Sequence, residues 1–239
     1  VVGPELGQQG TKVTISGSGM LGGGSTVAKV TLAGVEVASV TSGTDTEIVV
    51  VAAAGSNVTG RVVIVSDTGA IVSSSSNWEY IVAGAVTKVS PASGQSGTVV
   101  AITGSNLLGG STSLESVSFG GVDASSLTSA TDDLVITVAP AADPVAEVDV
   151  VITASSGAYV TSTKTWSFVT PGAIAGIVPS EGVVGTVAVI SGTGLRGGGS
   201  SVASATLAGV AVEKIQAESD VEVKVQAGAS DATAAGEVV

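Results

Sequence analysis

The sequence predicts an all-β protein of three tandem β-sandwiches, the third of them incomplete. Residues 11–34 return as residues 98–121 and again as residues 186–209 without a gap, at spacings of 87 and 88 residues. A fixed period of this length is the signature of one structural unit that has been copied. Only 3% of the residues are aromatic while 34 are glycine, a composition typical of short strands joined by tight turns. We therefore predict three units, at residues 1–83, 84–171 and 172–239.

The first unit contains seven short segments that are typical of β-strands. In the first of them, Val13 and Ile15 alternate with Thr14 and Ser16, as in a strand that buries one face. Glycine-containing turns separate the segments. The predicted strands are residues 12–16, 27–32, 35–40, 47–52, 61–66, 70–73 and 77–82. Seven short strands at this spacing favour a Greek-key sandwich of the immunoglobulin type.

The second unit repeats this order with one insertion. Trp166 stands 88 residues after Trp78, and one extra residue lies between Val138 and Val148. The inserted stretch is rich in Pro and Ala, and loops of this kind absorb insertions that strands do not. We expect the second sandwich to keep every strand of the first.

The third unit follows the same pattern only as far as Val239. At this point the strand that corresponds to residues 61–66 is beginning, so we expect the last hairpin and the Trp-bearing strand to be missing. The linkers between units are residues 83–84 and 170–172, and joints this short favour a semi-rigid rod. A neighbouring chain could add strands at the unpaired edges of the third unit. The alternative is that the remaining residues of this unit are not included in this sequence.

Charge and composition exclude several classes of function. The net charge is −12, with 8 basic and 20 acidic residues, so the chain lacks the cations that neutralise nucleic-acid phosphates or bind an anionic membrane. It contains neither His nor Cys, which excludes disulfides, the usual zinc sites and His-dependent catalytic triads. No apolar stretch is long enough to cross a bilayer. We expect no enzyme activity, no cofactor, no nucleic-acid partner and no membrane insertion.

A recurring motif resembles a known family. Each unit carries Pro-x-x-Gly-x-x-Gly-Thr, then a strand that leads into a Gly-rich loop, then a second strand that closes with [Leu/Phe]-[Ala/Gly]-Gly-Val. In the second unit the matching residues are Pro91, Gly94, Gly97, Thr98, Ile102, Thr103, Gly104, Asn106, Leu107, Phe119, Gly120, Gly121 and Val122. This pattern resembles the IPT/TIG family, the immunoglobulin-like modules of plexins and certain transcription factors. The resemblance implies an extracellular or surface-exposed tandem array, and the basic loops of the DNA-binding branch are absent here.

Acidic residues recur at one place in each unit, before the strand that follows the central hairpin. They are Asp45 in the first unit, Asp132 with Asp133 in the second, and Asp220 in the third. Carboxylates from neighbouring loops bind Ca²⁺, which takes six to eight oxygen ligands. One or two acids per unit fall short of that number, so a turn-forming aspartate is the alternative to a calcium site.

Two further features are candidate sites for sugars. Trp78 and Trp166 each precede another aromatic residue by two positions, and an exposed aromatic ring can stack on a sugar. A tryptophan kept in one register can equally cover the core or a joint between units. The sequence Asn57-Val58-Thr59 is an N-glycosylation sequon in a predicted loop. It predicts glycosylation at Asn57 if the protein passes through a eukaryotic secretory route.

These observations predict a non-catalytic, extracellular structural or adhesive protein, a rod of tandem sandwiches that serves as a subunit or segment of a surface filament. Its partners would be copies of itself or neighbouring repeats of a longer chain. The alternative is a carbohydrate-binding module, with glycans as partners, or an accessory region of a polysaccharide-acting enzyme.

Overall fold

The computed structural model describes residues 1–55, 57–230 and 235–238, and this part of the chain is built from strands and turns. Contacts divide the chain into two compact units. The larger unit holds the first sandwich and most of the second, and it comprises Val1–Ala92, Val99–Pro140 and Glu147–Trp166. The smaller unit comprises Ser93–Thr98, Ala141–Ala146 and Ser167–Val239. The described residues include no helix that is long and apolar enough to cross a membrane.

The first sandwich packs a four-stranded sheet, in the order β1-β3-β7-β6, against a five-stranded sheet, in the order β2-β9-β8-β4-β5. Its strands are β1 (Val2–Gly3), β2 (Leu6–Gly7), β3 (Lys12–Ser16), β4 (Val27–Leu32), β5 (Val35–Glu36), β6 (Ser39–Gly43), β7 (Glu47–Val51), β8 (Val58–Ser66) and β9 (Ile71–Tyr80). The alternation predicted for β3 is present, because Val13 and Ile15 are buried while Lys12 and Ser16 are exposed. Val13 and Ile15 pack in one core with Leu32, Ile48 and Trp78.

The second sandwich has the same two sheets, in the orders β10-β12-β16-β15 and β11-β18-β17-β13-β14. Its strands are β10 (Ala85–Ser90), β11 (Ser93–Gly94), β12 (Val99–Ser105), β13 (Leu114–Phe119), β14 (Val122–Asp123), β15 (Ser126–Ala130), β16 (Leu134–Val138), β17 (Val145–Ala154) and β18 (Tyr159–Phe168). The expectation that a loop absorbs the inserted residue needs correction, because the connections from β7 to β8 and from β16 to β17 are equally long. The extra residue lies in β17, which has 10 residues where β8 has 9.

The third repeat has one complete sheet, in the order β19-β20-β24-β23, and a two-stranded hairpin of β21 and β22. Its strands are β19 (Ala173–Val178), β20 (Val187–Thr193), β21 (Thr206–Leu207), β22 (Val210–Ala211), β23 (Lys214–Glu218) and β24 (Glu222–Gln226). Leu207 forms an isolated antiparallel bridge with Val238, in the place where Leu32 pairs with Val62 in the first sandwich. The described residues supply no further part of the two long strands that complete a sandwich, as expected.

The predicted hairpin at residues 33–34 is confirmed, and its turn has a specific backbone requirement. Ala33 and Gly34 have φ values of 49° and 84°, so both lie in the left-handed region that two-residue hairpins of this kind need. The second sandwich has Gly120 and Gly121 at these positions. The third repeat again has an alanine, Ala208, at a φ of 51°. Alanine is therefore strained where the second sandwich uses glycine.

Two of the strand predictions need correction. The predicted strand 35–40 is two strands, because β5 pairs with β4 in one sheet while β6 pairs with β7 in the other. The predicted strands 70–73 and 77–82 are one continuous strand, β9, which pairs with β8. The register of this pair shifts between Arg61 and Val63, so a bulge replaces the expected break.

Candidate functional site

A tight turn at residues 7–11 lies at the end of the first sandwich that contacts the second, and it is here called the distal turn. The Gln8 N–H donates to Oγ1 of Thr11 at 3.1 Å, and the Thr11 N–H donates back to the Gln8 carbonyl at 3.1 Å. The Gly10 N–H donates to the Ala52 carbonyl at 3.0 Å, which ties the turn to the end of β7. The Thr11 side chain thus holds the turn backbone at Gln8.

The Gln8 side chain joins the first sandwich to the second. It is only 2% exposed. Its Oε1 accepts from the Gly84 N–H at 2.6 Å, and its Nε2 lies 3.5 Å from the Tyr159 carbonyl oxygen to which it donates. Burying an amide is unfavourable unless both ends are paired. The two sandwiches must therefore stay together for Gln8 to keep its partners.

Backbone hydrogen bonds continue this joint on either side of Gln8. The Lys12 N–H donates to the Ser156 carbonyl at 2.8 Å, and the Tyr159 N–H donates to the Gln9 carbonyl at 3.1 Å. The Gln9 side-chain amide also donates to the Tyr159 hydroxyl. Ser156 and Gly157 lie in the turn before β18, and Tyr159 is the first residue of that strand. Residues 156–159, together with Gly109, are here called the proximal face of the second sandwich. Its contacts with the distal turn are directional hydrogen bonds.

Two glycines let the distal turn and the proximal face approach closely. A Cβ on Gly10 would lie 2.5 Å from the Tyr159 ring, and a Cβ on Gly109 would lie 3.0 Å from Nε2 of Gln8. Both residues also have positive φ, at 88° and 59°. Larger residues at either position would push the sandwiches apart.

The same amide contact recurs within the smaller unit. Oε1 of Gln95 accepts from the Gly172 N–H at 2.8 Å, and the Gln95 N–H donates to Oγ1 of Thr98 at 3.1 Å. Gln95 stands 87 residues after Gln8, and Gly172 stands 88 residues after Gly84. One device, a glutamine amide that holds the first glycine of the next repeat, is therefore used twice.

The recurring aspartates anchor the Gly-rich loops. Oδ1 of Asp45 accepts from the Leu21 N–H at 3.0 Å, and Oδ1 of Asp132 accepts from the Leu108 N–H at 3.0 Å. Asp220 makes the corresponding contact with the Arg196 N–H at 3.3 Å. Asp133 is exposed, and its carbonyl accepts from the Gly104 N–H at 3.0 Å.

These contacts fit the turn-forming alternative to the calcium site. Among the described residues, the acidic side chains form no group of three or more that could hold a metal ion. Calcium binding at Asp45, Asp132, Asp133 and Asp220 stays an untested prediction, and the structure gives three of these carboxylates another role.

The tryptophans lie in the cores of their sandwiches. Trp78 is 0% exposed and Trp166 is 1% exposed. Trp78 meets Tyr80 edge to face at a centroid distance of 4.2 Å, and Trp166 meets Phe119 at 5.1 Å. A ring without an exposed face cannot stack on a sugar in this conformation. The sugar-stacking hypothesis for Trp78 and Trp166 therefore has no support in the structure, whereas the core-covering alternative fits their positions.

The predicted glycosylation site lies at the surface. Asn57 is exposed at the start of β8, with a φ of 53°, and Val58 and Thr59 are exposed beside it. Its N–H donates to the Ile81 carbonyl at 3.4 Å. Glycosylation at Asn57 stays a prediction.

Comparison with protein families agrees with this architecture. The profile of the IPT/TIG domain matches residues 2–80 and again residues 85–168, which together make up more than half of the chain. The chain belongs to the IPT/TIG domain family. The two matched ranges coincide with the first two sandwiches, and the third repeat of this IPT/TIG array is built on the same strand order.

Similarity to a solved structure of plexin A4 supports the IPT/TIG fold. The full extracellular region of plexin A4 matches at a TM-score of 0.53 and 23% identity, covering 96% of this chain. The chain spans only 20% of that plexin region. A Bacteroides ovatus protein, SGBP-B of a mixed-linkage glucan utilization locus, solved with a mixed-linkage heptasaccharide, matches at a TM-score of 0.31 and 16% identity, over 74% of this chain and 47% of that one. No curated protein sequence matches this chain.

The joint between the IPT/TIG sandwiches was not among the sites predicted from the sequence. Gln8 and Gln95 occupy the same position in the Pro-x-x-Gly-x-x-Gly-Thr motif, while the third repeat has Val183 there. The recurrence of glutamine marks this position, but it does not indicate a contact between repeats. Nothing in the sequence indicated its partner Tyr159, because the equivalent residue in the first repeat is Ile71 and the contact joins residues 151 positions apart.

Proposed function

We propose that this chain is a non-catalytic structural or adhesive repeat protein of the cell surface, whose IPT/TIG sandwiches are joined into a semi-rigid rod. The observation that carries the proposal is the buried Gln8 amide, which accepts from Gly84 and donates to Tyr159. A flexible string of domains would have no need of a buried, paired side chain between consecutive sandwiches. A spacer or load-bearing element needs such a side chain, because joints of fixed angle keep the array of domains extended.

Several observations agree with a role without chemistry. The sequence has no His and no Cys, and its hydroxyl groups therefore have no ordinary base to activate them. The aspartates that recur in each repeat are engaged with backbone N–H groups of the Gly-rich loops. A surface location is proposed by analogy with the plexin extracellular region, which shares the fold.

Immunogold labelling of intact cells of the native source tests the location. Antibodies against the folded chain should decorate unpermeabilised cells or material attached to them. Labelling that appears only after permeabilisation would contradict the surface role. A protein known to face the cell interior supplies the control for intact cells.

Carbohydrate binding is the alternative function, and it would use the exposed loops, since both tryptophans are buried. A glycan array probed with the full chain tests this alternative. Saturable binding to particular glycans would favour the carbohydrate-binding hypothesis. The structural hypothesis predicts no selective binding to any glycan.

A further inference from the structure

The segment by which the chain enters the first sandwich lies beside the strand by which it leaves. β2 pairs with β9 in parallel, whereas the other strand pairs described in this sandwich are antiparallel. The Glu79 N–H donates to the Glu5 carbonyl at 2.9 Å, and the Ile81 N–H donates to the Gly7 carbonyl at 3.0 Å. These hydrogen bonds join the entering and leaving segments directly.

The buried amide of Gln8 continues this row of hydrogen bonds. Gln8 follows β2 directly, and its Oε1 accepts from the Gly84 N–H at 2.6 Å. Residues 5–8 thus hold residues 79–84 through three successive rungs, which we call the terminal ladder. Its donors are the N–H groups of Glu79, Ile81 and Gly84. Because Gln8 is buried, water has little access to the last rung and cannot readily replace it.

The second sandwich has the same arrangement. β11 pairs with β18 in parallel, and the Val169 N–H donates to the Gly94 carbonyl at 2.9 Å. Oε1 of Gln95 then accepts from the Gly172 N–H at 2.8 Å. A ladder between the entering and leaving segments that ends on a glutamine side chain is therefore formed in both of the first two sandwiches.

Tension along the chain loads the rungs of a terminal ladder together. Since β2 and β9 are parallel, the amino end of β2 and the carboxyl end of β9 lie at opposite ends of the sandwich. Pulling these ends apart slides β2 along β9, and all rungs resist at once. A sideways pull breaks the rungs one at a time. Strand β1 pairs with β3 in the other sheet, so detaching β1 passes the tension on to β2.

We infer that the terminal ladder is the tension-bearing element of each of the first two sandwiches, with Gln8 and Gln95 as the last rungs. This inference rests on the proposed structural function and names the contacts through which the rod carries load. Each glutamine then has two roles, because it holds the first glycine of the next repeat and ties that glycine to the loaded strands. Forced unfolding depends on the rate at which the resisting contacts break, so residues outside the ladder should contribute less under tension.

Single-molecule force spectroscopy of the full chain tests the inference. The chain has no cysteine, so cysteines added beyond its two ends attach it at defined points. The wild type should show two high-force unfolding events, one for each of the first two sandwiches. Gln8→Ala should move one event to lower force, and Gln8→Ala combined with Gln95→Ala should move both. Each affected force should fall by roughly a third, because one rung in three is removed.

Pulling in a second direction separates tension bearing from general stability. An added amino-terminal cysteine and Thr68→Cys, in the exposed turn before β9, load β2 and β9 from the same end. The rungs then open one at a time. The first sandwich should unfold at less than about half of its end-to-end force, and Gln8→Ala should change this lower force little.

Val50→Ala is the matched control, because Val50 is buried in β7, outside the ladder. Loss of its methyl groups should lower the Tm at least as much as Gln8→Ala does, yet leave the end-to-end unfolding force near that of the wild type. Equal forces in the two pulling directions would overturn the inference. So would forces that fall in proportion to the Tm in both variants. Either result, with the cell surface still labelled by antibody, would leave the proposed function standing and remove only the ladder's role.

Discussion

Oε1 of Gln8 accepts a hydrogen bond from the backbone N–H of Gly84 at 2.6 Å, across 76 residues of chain. Gly84 is the residue with which the second repeat begins. Gln8 lies in the distal turn, at the end of the first sandwich that contacts the second. The same relationship holds between Gln95 and Gly172 at 2.8 Å. A linker of two or three residues is thus supplemented by a side chain from the preceding repeat.

Replacing Gln8 by alanine should loosen the first joint. The Gly84 N–H would lose its partner, and leaving a buried donor unpaired costs about 1–3 kcal/mol. Hydrogen exchange of the Gly84 amide in the full chain measures the effect, with protection expected to fall by at least tenfold. Gln95→Ala is the matched control, because it removes the equivalent contact at Gly172 and should leave Gly84 protected. Unchanged exchange at Gly84 in Gln8→Ala would show that this amide does not hold the joint.

Ala33→Gly should stabilise the first sandwich. Ala33 has a φ of 49°, in the left-handed region that costs an alanine roughly 1 kcal/mol relative to glycine, and the second sandwich has Gly120 at this position. Part of the gain is offset because glycine is more flexible in the unfolded chain. Urea unfolding should give a free energy of unfolding higher by about 0.5 kcal/mol. The reverse change, Gly120→Ala, should lower it by a larger amount, since the new Cβ would also lie 3.0 Å from Cβ of Val148. If neither Ala33→Gly nor Gly120→Ala changed the free energy of unfolding relative to the wild type, Ala33 would not be strained.

Tyr80→Phe should remove a pH dependence at alkaline pH. Burial raises the pKa of the Tyr80 phenol above its ordinary value. The unfolded chain loses this proton near pH 10, while the folded chain holds it to higher pH. Folded-state stability from this group is therefore complete below about pH 10 and is lost as the pH rises further.

Thermal melting of both proteins between about pH 8 and pH 11 measures this effect. The Tm of the wild type should fall more steeply than that of Tyr80→Phe above about pH 10. Phenylalanine is accommodated at the equivalent position, where the second sandwich has Phe168. Parallel Tm curves would show that ionisation of Tyr80 is not linked to unfolding.

Asp45→Ala should destabilise the first Gly-rich loop, while Asp45→Asn should be close to wild type. The asparagine side-chain oxygen can still accept from the Leu21 N–H, whereas alanine leaves that donor unpaired at a cost of about 1 kcal/mol. The Tm measured with calcium and with chelator should be the same for the wild type. A Tm that rises with calcium in the wild type but not in Asp45→Asn would establish the metal site instead.

The sequence predicts the sandwich strands well where one side chain in two is apolar. Val13 and Ile15 in β3 are examples, and Gly34 marks the turn that follows β4. The alternation fails at the serines of β9, where the Val62 N–H donates to Oγ of Ser74 at 2.9 Å instead of to the β9 backbone. A run of four serines has no apolar period, so the continuous strand with its bulge was not predictable from the pattern.

The candidate site was less accessible to sequence reasoning than the fold. Trp78 and Trp166 were conspicuous as rare residues, but a rare aromatic residue marks a core as readily as a surface. Gln8 was inconspicuous, because a single glutamine in a polar turn looks solvated until its partners at Gly84 and Tyr159 are known. Contacts over such separations depend on how two folded domains meet, and no local pattern in the chain records that.

The proposed rod requires that the first two sandwiches are held in one orientation. Residual dipolar couplings of backbone amides in the full chain test this directly, with Gln8→Ala as the comparison. We predict that a single alignment tensor describes the couplings from residues 2–80 and 85–168 in the wild type. In Gln8→Ala the two ranges should require two different tensors. Two tensors of different magnitude in the wild type would contradict it, because the sandwiches would then reorient independently.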